Sequence, residues 1–277
     1  IGNFIHEFGG PSWERKEVYD AFNPETFVGD WNKPMLVLHG SKDFRVPMEQ
    51  GLATFSALQR EGIFRAIVDQ ANDSIAVVDQ ILDTDGLFIS GGDQSRLMAL
   101  LWETEAFRAL HTAFHVRGCC IAGTSAGAAV LSRHMLAQGD APRLPEKEAA
   151  ELDLGLGFVS RAIIDQHFSE RGRLGRLLSV LAQRPDMLGV GIDEDTALVI
   201  ERDTAIEVIG QGAVTLVDAR DMKSNNPLIE PGERLEMLDV RLHVLPAGHR
   251  YSAHEMVQRV QQMAPVPTWQ KARCRNR

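Results

Sequence analysis

The chain has 277 residues, and 29 Lys and Arg against 38 Asp and Glu leave a formal charge of −9, which weighs against nonspecific binding to nucleic acid or an anionic membrane surface. That length suits one large domain, or an ordinary domain with a smaller appendage. With 44% hydrophobic and 24% charged residues the chain is neither a disordered polyelectrolyte nor a low-complexity fibre, and it is expected to fold around a sizeable core.

Short apolar runs alternate with helical patterns, the mark of an α/β domain on a largely parallel sheet. The spacing predicts a strand at Met35–His39, a helix at Pro47–Arg60 with its proline in the first turn, and a strand at Phe64–Val68. A helix at Ser74–Leu82, a strand at Gly86–Ser90, a helix at Glu103–Phe114 and a strand at Gly118–Ala122 follow. Then come a helix at Ala126–Ala137, a strand at Ala162–Asp165, a helix at Arg171–Ala182 and a strand at Leu188–Asp193. From Thr196 the texture changes to short strand-like runs, Ala197–Glu201, Ile206–Ile209, Val214–Val217 and Val240–Leu245, which read as antiparallel hairpins closing one edge of the sheet. Pro265 and Pro267 followed by Lys271, Arg273, Arg275 and Arg277 predict a loose tail over 263–277.

Cys119, Cys120 and Cys274 fit neither a disulfide framework nor a zinc-ligand spacing, which predicts reduced thiols in a cytoplasmic protein. No apolar run approaches the roughly 20 residues needed to span a bilayer. Ile1 rather than Met stands first, which predicts that residues precede it and leaves a secreted form open.

The chemistry gathers at predicted strand ends. Gly123-Thr124-Ser125-Ala126-Gly127 lies between an apolar run and a small-residue helix pattern, the context of a nucleophile elbow. The Ala126 N–H at the helix start is placed to stabilise an oxyanion. Ser90-Gly91-Gly92-Asp93-Gln94 makes a second turn after a strand, where Gly92 or Asp93 could supply the other donor. A serine nucleophile needs a base, and His167 in Asp165-Gln166-His167-Phe168 sits just past a strand end, with His39 its nearest rival. Arg171, Arg173 and Arg176 follow and could converge on a carboxylate if the helix starts near Arg171. Gly191-Ile192-Asp193-Glu194-Asp195 offers three carboxylates to orient the base; alternation puts Glu194 on the opposite face from the other two and does not choose among them. The histidines offer no i, i+4 pair with a carboxylate of the metal-hydrolase kind, and neither metal nor organic cofactor is expected.

The ordered set of these four motifs, over about 64–250, resembles the cyanophycinases, serine peptidases related to alpha-aspartyl dipeptidase. The resemblance implies an α/β, three-layer, mostly parallel sheet of the class I glutamine amidotransferase type. It implies Ser125 as nucleophile, His167 as general base and Glu194 as orienting acid, with Gln94, Asp165, Gln166, Arg171, Arg173 and Arg176 lining the substrate pocket. It also implies a substrate, cyanophycin, a poly-aspartate backbone bearing arginine on each side chain, cleaved to beta-aspartyl-arginine dipeptides, and a homodimer. Rival expectations are a dipeptidase for short aspartyl or isoaspartyl peptides, and a catalytically dead fusion.

The front departs from that pattern. Trp31 to Pro47 is similar to the closing part of a prolyl oligopeptidase family hydrolase domain, in which Asp43 would be the triad acid, yet the matching serine elbow and histidine are not found in place. The expected division is therefore a catalytically incomplete segment over 1–63, a peptidase domain over 64–262 and the tail. The front strand and helix lead into the strand at Phe64 as a βαβ unit, which could replace the missing start of the sheet.

Overall fold

The computed structural model describes residues 14–22, 35–38, 64–68, 75–201 and 205–251. The predicted helix at Pro47–Arg60, the rival residues His39 and Asp43, and the tail lie outside them. The first described element is helix α1 (Lys16–Phe22), which the sequence reading did not anticipate. Strands β1 (Met35–Leu38), β2 (Phe64–Val68), β3 (Gly86–Ile89) and β4 (Cys120–Gly123) form one parallel sheet in the order β2-β1-β3-β4. β1, from the front segment, pairs with β2 on one side and in unbroken register with β3 on the other.

Helices α2 (Ile75–Leu82), α3 (Gln94–Leu101) and α4 (Glu105–Thr112) share a core with this sheet, built on Ile81, Leu87, Ile89, Met98 and Leu110. The Asp93 carboxylate caps α3 by accepting from the Arg96 N–H at 2.9 Å, and the Thr104 hydroxyl caps α4 by accepting from the Phe107 N–H. The helix predicted to end at Phe114 instead widens into a π-helical turn over Ala113–Arg117. Gly118 ends it with a left-handed φ of 77°, so the strand expected from Gly118 starts at Cys120.

The predicted helix Ala126–Ala137 is cut to one turn, α5 (Ala126–Ala129). The carbonyls of Val130, Leu131 and Ser132, which a longer helix would satisfy internally, accept instead from the N–H groups of Leu156, Val159 and Gly157. The chain then enters β5 (His134–Gly139), antiparallel to β6 (Ala150–Leu154), a hairpin not anticipated. Tertiary pairing overrides the helical propensity of this alanine-rich run.

A second sheet, ordered β14-β11-β8-β7, joins β7 (Ala162–Gln166) and β8 (Leu188–Ile192) in parallel and adds β11 (Ala213–Asp218) and β14 (Arg241–Pro246) antiparallel. Its inner strands β7, β8 and β11 are buried on both faces, whereas β14 is largely exposed. Ile163 and Val217 meet Leu177, Val180 and Leu181 of helix α6 (Leu174–Gln183) on one side. On the other, Ile164, Val190 and Leu216 meet Ile206 and Val208 of β10 (Ala205–Gly210). β10 pairs with β9 (Thr196–Glu201) and β15 (His249–Tyr251) in a separate sheet. β12 (Lys223–Ser224) and β13 (Met237–Leu238) make a short ladder.

The fold is thus mixed α/β, with sheets of parallel and of antiparallel strands. Among the described residues no ladder joins β4 to β7; α5, in contact with both, sits where one continuous parallel sheet was expected. The β7–β8 sheet also has a small β-sheet, not helices, on one face, because Ile206 and Val208 supply apolar cover from a hairpin. No helix among the described residues is long and apolar enough to cross a membrane.

Candidate active site

Two parallel ladders point their carboxyl ends at one place, where ligands of open α/β sheets bind. The first presents the elbow. Ser125 has φ 52° and ψ −117°, a costly conformation for a residue with a side chain. Backbone packing holds it there: a Cβ on Gly123 would fall 2.2 Å from the Gly127 carbonyl oxygen, and one on Gly127 would fall 2.1 Å from that of Ile89. Only glycine permits these approaches, so both flanks of the motif have a steric reason. The neighbouring turn touches Ser125, since a Cβ on Gly91 would lie 3.2 Å from the Ser125 Cβ. Gly92 follows with φ 130°. Neither the Gly92 nor the Ala126 N–H bonds to another described residue, and these are the two expected oxyanion donors.

The second ladder presents His167 and Glu194. Ser125 Oγ lies 3.0 Å from His167 Nε2, and His167 Nδ1 lies 2.5 Å from Glu194 Oε1. His167 and Glu194 are about three-quarters buried, at 23% and 26% side-chain exposure, leaving an edge open to a substrate. Among the three carboxylates that alternation left open, Glu194 is the one on the imidazole. Phe168 presses its ring against Gly191, where a Cβ would come within 2.4 Å of it, and donates its N–H to the Ile192 carbonyl at 3.1 Å. The glycine thereby lets the two motifs close on each other.

The residues expected to line the pocket divide into three kinds. Asp165 has no exposed side-chain surface; its Oδ1 accepts from Arg173 Nη1 at 3.2 Å and its Oδ2 from Arg176 Nε at 3.0 Å, with a further short bond from Arg176 Nη2. Gln166 accepts from Arg173 Nη1 through both its side-chain and backbone oxygens. Gln94 donates its amide to the Leu136 and Ala137 carbonyls, both at 2.8 Å, tying the glycine turn to β5. The Asp165 carboxylate is thus fully buried and held by internal partners, while half-buried Gln94 commits its amide nitrogen to the β5 backbone. Arg173 and Arg176 are each 11% exposed. Burial pulls the Arg173 guanidinium down to about 10, opposed by Asp165 and reinforced by Arg176 and Arg171, so it is charged at neutral pH. Arg171 differs, being exposed with a guanidinium that bonds to no described residue. It lies before α6, which starts at Leu174 rather than at Arg171 as predicted; the helix is delayed because the Arg173 N–H turns back to the Phe168 carbonyl.

Among the described residues no three His, Cys, Asp or Glu side chains gather closely enough to hold a metal ion. Sequence reasoning named Asp193 only as a candidate orienting acid and missed Ser169; the two hydrogen-bond to each other beside His167 and Glu194.

Residues 51–208 match the model of peptidase family S51, and residues 4–73 match that of the prolyl oligopeptidase family. The two matches overlap around Ile63, the expected junction. The chain is 41% identical over 171 residues to a cyanophycinase of Trichormus variabilis, covering 61% of this chain and 57% of that protein. It therefore spans little more than half the length of this curated relative. The front is 48% identical over 59 residues to Dipeptidyl-peptidase 5 of Schizosaccharomyces pombe, covering 21% of this chain and 9% of that one. The crystal structure of a peptidase from an acI-B1 Actinobacterium superposes with a TM-score of 0.56 at 21% identity, covering 85% of this chain and 91% of that one, a likeness of fold.

Proposed function

The chain belongs to peptidase family S51, and from that membership we propose that it is a serine exopeptidase hydrolysing cyanophycin to beta-aspartyl-arginine dipeptides through an acyl-enzyme. The observation that carries this reading is the unbroken relay of 3.0 Å and 2.5 Å from Ser125 through His167 to Glu194. Ser125 Oγ attacks a backbone amide carbonyl while His167 Nε2 takes its proton, and Glu194 holds Nδ1–H so that the imidazole presents the correct tautomer. The oxyanion accepts from the Gly92 and Ala126 N–H groups, each such donor being worth about 2.7–4 kcal/mol in transition-state stabilisation. His167 then gives the proton to the leaving amine, and water attacks the ester by the same path.

The substrate assignment draws on the relatives' name and on charge. Each cyanophycin unit ends in an arginine carboxylate, and Arg171, exposed and joined by its backbone N–H to the His167 carbonyl, carries a guanidinium fork suited to it. Arg173 and Arg176, held by Asp165 and Gln166, add positive potential without being free to reorient. We infer that the two parallel ladders belong to one three-layer architecture of class I glutamine amidotransferase type, with α5 filling the seam between them.

The test is release of beta-aspartyl-arginine from purified cyanophycin by the full chain, beside Ser125→Ala. Release by the full chain, with a loss on the order of 10^6 in kcat for the variant, is expected, as for other serine triads. A folded chain that leaves the polymer intact yet cleaves short aspartyl dipeptides would replace the substrate assignment with the small-peptide one.

A further inference from the structure

Three carboxylates follow β8, and only Glu194 reaches the imidazole. Asp193 turns elsewhere. Its Oδ1 accepts from the Ser169 N–H at 3.1 Å and from the Ser169 hydroxyl at 2.6 Å, and its Oδ2 accepts from the Ala213 N–H at 3.1 Å. The Asp193 N–H in turn donates to the Ala213 carbonyl at 3.2 Å. One side chain thus joins three segments: the loop two residues past His167, the turn one residue before Glu194, and the start of β11. All three donors are neutral, and among the described residues no cation pairs with Asp193, so its charge is spent on loop geometry.

The surroundings show why such a tie is needed. His167 and Asp195 both have positive φ, 52° and 47°, so the two turns bracketing the imidazole–carboxylate contact are held in conformations that residues with side chains avoid. The β10–β11 turn presses on the second of them: a Cβ on Gly212 would lie 2.9 Å from the Asp193 Cβ. Thr196 completes the brace, accepting from the Gly212 N–H and donating to the Glu194 carbonyl, both at 2.9 Å. On the His167 side, Ser169 gives the loop its side-chain tie to the β8 end, while the Arg171 N–H bonds to the His167 carbonyl within the loop.

We propose that Asp193, acting through Ser169, is a positioning residue that sets the separation of His167 from Glu194. The proposal rests on the serine-triad reading above. Asp193 touches neither the imidazole nor the Glu194 carboxylate; it fixes the distance between the two backbones that carry them. Loosening it lengthens the His167–Glu194 contact, which weakens stabilisation of the imidazolium, lowers the pH at which His167 becomes a free base, and slows proton removal from Ser125.

The test uses an alkyl fluorophosphonate on the full chain, following the labelling rate of Ser125 from acid to neutral pH, so no peptide substrate need be assumed. Ser169→Ala is the decisive variant because it deletes an exposed hydroxyl and alters no charge. Labelling is expected to slow about fivefold in Ser169→Ala and about thirtyfold in Asp193→Ala, by misplacement of the base. In both, the acid midpoint of the labelling rate moves to lower pH. Ser169→Thr, which keeps the hydroxyl donor, is expected to restore both rate and midpoint. The proposal is overturned if Ser169→Ala keeps the wild-type midpoint, including the case in which slower labelling is accounted for by the unfolded fraction in circular dichroism. A wild-type chain that resists the reagent overturns the triad reading itself, and the positioning role falls with it.

Discussion

The ladder that carries Ser125 and the ladder that carries His167 and Glu194 reach the same point by different physics. Ser125 is fixed by close packing at glycines: Gly123 against Gly127, Gly127 against Ile89, Gly91 against Ser125 itself. His167 and Glu194 are fixed by side-chain ties, with Asp193 bonded to Ser169 across 24 positions, Phe168 packed on Gly191, and Asp165 gripping Arg173 and Arg176. A steric constraint needs only the right glycine at the right spacing. A hydrogen-bonded network needs several residues to arrive together, and it carries the electrostatic burden of buried charge.

This contrast can be broken by substitution. The largest loss is expected on the network side, at Asp165→Ala, which leaves two nearly buried guanidinium groups without their carboxylate and costs about 3–5 kcal/mol. Urea denaturation measures it, and a cost below 1 kcal/mol would mean that water or Gln166 compensates the arginines. On the steric side, Gly127→Ala drives a methyl into the Ile89 carbonyl, an atom that cannot step aside, and is expected to cost about 3 kcal/mol and to abolish fluorophosphonate labelling of Ser125. Retained labelling would show that the elbow can shift as a unit.

The half that carries Ser125 also holds a titrating group. His111 is buried among Phe107, His115 and Phe158, and burial first, then the His115 charge, pulls it down to about 4, with the Leu156 backbone opposing. Its folded value lies below its ordinary 6.5, so the unfolded chain binds the extra proton first. The contribution is fully present above pH about 6.5 and is lost as pH falls towards about 4, amounting to about 3 kcal/mol. Denaturation of wild type and His111→Phe at pH 7.5 and 5 should show the acid-side loss in the wild type and a smaller one in the variant. The smallest effect on stability belongs to Arg171→Ala, whose exposed guanidinium bonds to nothing described; its unfolding midpoint should not move. Its KM for cyanophycin should rise about tenfold with the loss of a charged hydrogen bond. An unchanged KM would assign the substrate carboxylate to another group.

Legibility in the sequence followed the same division. The strands at 64–68, 86–89 and 188–192 were readable to within a residue from their apolar runs, and the glycine spacing announced the elbow. The helix expected over Ala126–Ala137 failed because its composition favours helix while its carbonyls are claimed by the chain at 156–159, a partner that no local pattern reveals. The partners of Asp165 and Gln94 had no local signal either: one carboxylate is held by Arg173 and Arg176, and one amide nitrogen by the β5 backbone.

Local spacing alone therefore dictated where the chain turns sharply at a strand end, because the steric limits on a residue next to glycine act over a few bonds. Which of three neighbouring carboxylates meets the imidazole, which arginine is left open, and which strands of the front and middle segments lie side by side were decided only on folding. Those outcomes depend on side-chain direction and on burial, and both are set by residues tens of positions away.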